Sequence, residues 1–179
     1  MIRTFIAVEL PEKFLPEIES IGSQIKIPGV KLVEPGLVHI TMKFLGDIHE
    51  DKIESIASAL SQIKCKPFEA SIKGIGVFPK LAYVKVIWLG GIGDFENLHS
   101  EVESVLSGFK FKQEDDFTPH ATIARVKQPV NRTELMEKIK NIGDPDLGKF
   151  WVSSIYLKKS TLTPRGPIYE TLKEIKLSD

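Results

Sequence analysis

A strand carrying His-x-Thr, then a helix, then two further strands: this order occurs twice in 179 residues and restricts the fold more than any other feature. Val38 to Leu45 alternates strictly. It sets Val38, Ile40, Met42 and Phe44 on one face and His39, Thr41 and Lys43 on the other. His120 to Val126 is the second such strand, its histidine 81 residues after the first. The repeat reads as an internal duplication into two similar α+β halves. Short turns between neighbouring strands argue for antiparallel sheets over a doubly wound parallel one. The length suits a single bilobal domain, 1–179, with interleaved lobes.

The remaining periodicities fill in this plan. Ile2 to Leu10 reads as a buried strand, and Pro11 suits the first turn of a helix over 11–26. Val30 to Val33 is a short strand. A second helix is expected near 50–64. Phe68 to Val77 and Tyr83 to Leu89 form a hairpin around Phe78-Pro79-Lys80, followed by a glycine-rich loop at 90–93. Phe95, Leu98, Val102 and Val105 mark a third helix, which Gly108 stops. Asp115 to Pro119 leads into the second motif strand. Asn131 can cap a fourth helix, with Glu134 as its capping-box partner. Phe150 to Lys158 and Tyr169 to Leu177 are the last two strands.

Composition sets limits on function. Lysine plus arginine balance aspartate plus glutamate at 24 each, which argues against coating long nucleic acid by backbone charge. It leaves open a site that grips one phosphate at a strand end. The single cysteine, Cys65, excludes an internal disulfide and a cysteine-based zinc site, and fits a reducing cytoplasm. The opening residues are broken too early by Glu9 and Pro11 for a signal peptide, and no apolar run reaches the roughly 18 to 20 residues of a membrane span.

A spacing of two on a strand puts His39 and Thr41 on one face, and likewise His120 and Thr122. Two such pairs facing each other across a cleft suit phosphodiester cleavage. One imidazole takes a proton from the attacking oxygen and the other gives one to the leaving oxygen, both near neutral pH. Threonine hydroxyls can donate to the non-bridging phosphate oxygens. Zinc is the competing use of two histidines. Catalytic zinc needs about three protein ligands, and no third one stands near either motif, so neither metal nor cofactor is expected. The glycines at 74–76 and 90–93 do not complete a dinucleotide fingerprint.

The segments His39-Ile40-Thr41-Met42-Lys43-Phe44-Leu45-Gly46 and Pro119-His120-Ala121-Thr122-Ile123-Ala124-Arg125 resemble the paired motifs of the 2H phosphoesterase superfamily. Within it, the chain is similar to the RNA 2′,3′-cyclic phosphodiesterases, also called 2′-5′ RNA ligases. Arg3 to Val8 resembles that family's first strand, and Ser160 to Tyr169 its closing segment. Where the family often has leucine after each threonine, Met42 and Ile123 stand here. The resemblance implies an α+β fold of two pseudo-symmetric lobes with the catalytic cleft between them, each an antiparallel sheet with helices on its outer face. It implies metal-independent opening of an RNA-terminal 2′,3′-cyclic phosphate to a 2′-phosphate, with His39 as proton donor and His120 as proton acceptor. Thr41 and Thr122 would bind phosphate. Weak 2′-5′ ligation is associated with the same site. The implied partners are an RNA 3′ end or a nucleoside 2′,3′-cyclic phosphate, acted on by a cytoplasmic monomer with no membrane association.

Other readings stay open at this point. The two histidines could exchange roles without changing any residue pattern. Lys43, Arg125 and Tyr169 are candidate substrate contacts. Lys43 shares the His39 face but could equally be a solvated lysine. Arg125 is favoured by the resemblance, yet on a straight strand it points away from His120. Phe44 or Tyr169 could stack on a base, although strand parity assigns Phe44 to the core. Ser160 and Arg165 are site-edge candidates by resemblance alone. His49 and His99 are expected at the surface. A 2H enzyme acting on a small cyclic nucleotide and a non-catalytic RNA-binding module are the rival functions.

Overall fold

The computed structural model describes residues 1–114 and 116–179; Asp115, expected in the lead-in to the second motif strand, lies outside them. The strands are β1 (Ile2–Glu9), β2 (Val30–Leu32), β3 (His39–Ile48), β4 (Phe68–Lys80), β5 (Tyr83–Ile92), β6 (His120–Val126), β7 (Asp146–Val152), β8 (Ser154–Thr163) and β9 (Gly166–Lys176). The helices are α1 (Leu15–Gln24), α2 (Ile53–Leu60), α3 (Phe95–Val105) and α4 (Arg132–Ile142).

All described strand pairs are antiparallel. They build one curled sheet in the order β7-β4-β5-β6-β3-β1-β8-β9, with β2 paired to β6 beside the seam. The order is symmetric about the β6–β3 seam. The motif strands meet at the centre, and each is flanked by the strand that precedes it by one helix: β1, then α1, before β3, and β5, then α3, before β6. The expected halves are present, joined by hydrogen bonds into a single sheet. Most strands that follow each motif cross over, while β7 stays on the side of β6, paired with β4. Those after α2 (β4 and β5) join the half-sheet of β6, and β8 and β9, after α4, join that of β3.

One face of the sheet is covered by helices, and the core lies between. Ile18, Ile21 and Ile25 from α1, Ile56 and Leu60 from α2, Phe95, Leu98 and Val102 from α3, and Leu135 and Ile139 from α4 are buried at helical spacing. They meet Ile6, Ile40, Met42, Ile87, Leu89, Ala121 and Ile123 from the strands. Asn131 caps α4 as anticipated, its side chain accepting from the Glu134 amide at 3.1 Å.

Several boundaries differ from the sequence reading, among them α2, which is shorter than 50–64, and β9, which begins at Gly166. Pro11 precedes a single tight turn, Glu12–Phe14, and Pro16 instead occupies the first turn of α1. Phe78 to Lys80 continue β4, because the turn falls at Leu81 and Ala82. The glycines at 90 and 91 extend β5, and Gly90 lies so close to the Lys73 carbonyl oxygen that a Cβ there would meet it at 2.5 Å. The expected strand 150–158 is two strands broken at Ser153, so β7 and β8 end up in opposite halves of the sheet, β7 at one edge and β8 between β1 and β9.

Candidate active site

Ile40 and Ala121 are the one described backbone pair across the seam. Extending that antiparallel register by one residue each way sets His39 opposite Thr122 and Thr41 opposite His120. Since Ile40 and Ala121 point into the helix-covered core, these four side chains share the other, uncovered face. One described backbone pair between the two motif strands sets the register that assembles the constellation expected from the two motifs.

Both imidazoles are held in the same way. Nδ1 of His39 lies 2.8 Å from the Leu37 carbonyl oxygen, and Nδ1 of His120 lies 2.7 Å from that of Thr118. A carbonyl only accepts, so Nδ1 carries the proton in each ring and Nε2 holds a lone pair. The Thr41 hydroxyl, 3.0 Å from His39 Nε2, donates to that lone pair. Aromatic rings flank each imidazole. Phe5 stacks on His39 at 4.9 Å between centroids, and Tyr169 meets it edge-on at 5.4 Å. Phe78 meets His120 edge-on at 4.9 Å, with Trp88 tilted at 5.9 Å.

This packing makes both histidines poor bases. Desolvation is the main cause and pushes His39 down to about 4. The Leu37 carbonyl opposes that shift, while the charges of Lys158 and Arg125 add to it. His120 is also lowered, first by desolvation and then by Arg125, against the pull of the Thr118 carbonyl. Burial raises Tyr169, and Arg125 and Arg3 pull it back.

One backbone irregularity, used twice, corrects three side-chain assignments. Ile6 pairs with Lys43 but Ala7 pairs with Thr41, so Met42 is an extra residue in β3. Ile87 pairs with Ala124 and Trp88 with Thr122, so Ile123 is the extra residue in β6. A one-residue bulge inverts the alternation beyond it. Lys43 therefore lies on the helix side, 1% exposed, with Nζ 2.5 Å from Glu103 Oε1 and 2.7 Å from the Lys112 carbonyl oxygen. It is a buried ion-pair partner, not a residue of the His39 face. Phe44, expected in the core, is 56% exposed beside Phe5 on the histidine face. Arg125, which a straight strand would aim away, is turned to the side where its charge reaches His39, His120 and Tyr169.

Tyr169 lies against His39 and pairs in register with half-buried Ser160, while Arg165 is exposed in the turn before β9. His49 is exposed as expected. His99 is not: it is 6% exposed, stacked on Phe117 at 4.1 Å and lying 3.6 Å from Glu103. It falls in the buried stripe of Phe95, Leu98 and Val102, one helical turn from two of them. The sequence reading missed Phe5, Phe78, Trp88 and Lys158. Lys158 pairs in register with Phe5 and forms an ion pair with Glu9, the residue opposite His39. Its alternation with Tyr156 and Ser160 was the available signal. Among the described residues, no group of three or more His, Cys, Asp or Glu side chains is gathered to hold a metal.

The model of the 2′-5′ RNA ligase superfamily matches residues 11–162. A Methanocaldococcus jannaschii protein named RNA 2′,3′-cyclic phosphodiesterase is 40% identical over 174 residues, spanning 97% of this chain and 99% of its own. A Methanothermobacter thermautotrophicus protein of the same name is 37% identical over 182 residues, spanning 98% and 99%. Among solved structures, a Thermus thermophilus protein superposes with a TM-score of 0.77 at 27% identity, over 98% of this chain and 97% of that one. LigT of E. coli, solved with 3′-AMP, shares the fold with a TM-score of 0.79 at 21% identity, over 99% of both chains. With its duplicated half-sheets and paired His-x-Thr strands, the chain belongs to the 2′-5′ RNA ligase superfamily.

Proposed function

We propose that this chain hydrolyses RNA-terminal 2′,3′-cyclic phosphate to a 2′-phosphomonoester, with His39 as proton donor and His120 as proton acceptor. The observation that carries the reading is the matched tautomer. Each histidine spends Nδ1–H on the carbonyl two residues before it, leaving Nε2 for substrate. A water hydrogen-bonded to neutral His120 loses its proton as its oxygen attacks phosphorus. The P–O3′ bond breaks, and protonated His39 delivers its proton to O3′. Thr41 and Thr122 hydroxyls donate to the non-bridging oxygens, and Arg125 and Lys158 offset the charge that develops there.

Burial holds His39 near 4, so a donor at neutral pH needs the substrate's help. An anionic phosphate beside the ring counters Lys158 and Arg125 and favours imidazolium. Thr41 must then turn its hydroxyl from Nε2 to phosphate. With a 5′-hydroxyl in place of water as the nucleophile, the same forward steps form the P–O5′ bond as P–O3′ breaks and join two ends through a 2′-5′ bond, a minor activity in this reading. The names of the archaeal relatives support the substrate class. We place the enzyme in the cytoplasm as a monomer; its one cysteine is a buried thiol, and no helix among the described residues is long and apolar enough to cross a membrane.

Product analysis on an oligonucleotide ending in a 2′,3′-cyclic phosphate tests the proposal. A 2′-phosphate is expected, and a 3′-phosphate would reverse the leaving group. His39→Ala and His120→Ala should each abolish turnover with the fold retained; full activity in either would end the two-histidine assignment.

A further inference from the structure

We propose that the cavity beyond the ends of β5 and β6 is a second binding site, taking a base and phosphate of the single-stranded RNA upstream of the reacting terminus. The inference rests on the function proposed above. The cavity, of about 570 Å³, has a floor of Val84, Val126, Val130 and Leu135 and a rim of Tyr83, Lys85, Lys127 and Arg132. Tyr83 is 48% exposed, with Lys85 Nζ 5.2 Å and Arg132 Cζ 5.9 Å from its ring centroid.

Charge singles this cavity out. In a chain of zero net charge its lining holds three cations and no carboxylate. None of the three cations is in an ion pair among the described residues. The cavity lined by Glu9, Lys13, Glu69 and Lys149 is internally neutralised, Lys149 bridging to Glu69 at 2.7 Å. The one lined by Glu96, Glu103 and Glu114 is acidic and repels phosphate. An exposed aromatic ring framed by cations above an apolar floor is the combination that stacks a base and holds its phosphate without reading sequence.

Position fits the upstream strand. Val126 lies six residues along β6 from His120, roughly 20 Å at about 3.3 Å per residue. Arg125, whose charge reaches both histidines, immediately precedes it. A chain whose 3′ end sits between the histidines can pass Arg125 and drop over the strand ends. A single nucleotide cannot span both places.

The test compares two substrates in Tyr83→Ala and in Lys85→Ala/Arg132→Ala: a nucleoside 2′,3′-cyclic phosphate, and an oligonucleotide ending in the same group. For the oligonucleotide, KM should rise about tenfold or more in Tyr83→Ala. In the double variant it should rise and lose part of its salt dependence. Turnover of the nucleoside should stay as it is in both. An unchanged oligonucleotide KM overturns the proposal. So does an equal loss on both substrates, because the cavity would then act only through the fold. Should the parent enzyme hydrolyse neither substrate, the catalytic reading fails separately. Anisotropy with a labelled oligonucleotide lacking the cyclic phosphate then decides the cavity alone, and equal Kd in parent and variants overturns it.

Discussion

Phe44 and Arg125 occupy the same place in the two half-sheets: each is the fifth residue after its histidine, and each is turned toward the histidine face by a one-residue bulge. The duplicated backbone is kept, but one copy presents an aromatic ring and the other a cation. Across the seam a phosphate would meet matched imidazoles and unmatched neighbours. That inequality is what an acid and a base drawn from one repeated motif require.

Arg125→Gln should therefore act on both histidines. Removing its charge takes away a repulsion that lowers His39 and His120, so both should become more basic, observable by NMR titration of the two rings. Hydrolysis should fall about 100-fold in kcat/KM, as for loss of one donor to a developing oxyanion. Unchanged titration of both rings would show that Arg125 does not reach them.

The pH profile follows from the same shifts. kcat/KM reports the free enzyme, where the acid must be protonated and the base neutral. Both histidines titrate below their ordinary value, His39 at about 4. The bell should peak on the acid side of about pH 6.5. Bound phosphate stabilises the imidazolium, so the kcat bell should lie at higher pH than that of kcat/KM. A shared optimum above neutrality for both parameters would contradict this account.

The histidines and threonines were legible because period-two alternation needs only local sequence, and their partners across the seam followed from the repeat. The bulges were not. Nothing in Thr41-Met42-Lys43 or Thr122-Ile123-Ala124 announces an extra residue, and every parity assignment past that point inverted: Lys43, Phe44 and Arg125 together. The rings of Phe5, Phe78 and Trp88 reach the histidines from other strands, through pairings set by the whole sheet. His99 was legible and was misread. Its polar ring outweighed its place on the buried stripe of α3.

Lys43→Met should cost stability more than activity. It strands Glu103, 16% exposed, with only His99 at 3.6 Å to compensate among the described residues. Breaking a buried pair from one side costs about 3 kcal/mol, whereas an apolar replacement of both partners can be neutral. Urea unfolding should show the large loss in Lys43→Met and its recovery in Lys43→Met/Glu103→Leu. His99 should become more basic in the single variant, since Lys43 depresses it and Glu103 raises it. A double variant as unstable as the single would mean that Lys43 contributes packing instead of charge.

Gly76→Ala tests whether the aromatic setting of His120 matters for catalysis. Gly76 and Trp88 are cross-strand partners, and the indole packs against the glycine. A methyl group there would sit 2.3 Å from Cη2 and Cζ2 of the ring. The indole must retreat by about 1 Å to reach ordinary contact, and it is hemmed in by Phe78 at 5.0 Å and His120 at 5.9 Å. Overpacking of this kind costs about 1–3 kcal/mol, and a shift near 1 Å at a catalytic group can cost about 100-fold in rate. Gly108→Ala is the matched control: nothing lies within 4 Å of its Cβ and its backbone needs no left-handed φ. Thermal unfolding and kcat measured side by side should show both falling for Gly76→Ala and neither for Gly108→Ala. A Gly76→Ala enzyme with lowered Tm and unchanged kcat would mean that His120 is held by the Thr118 carbonyl alone.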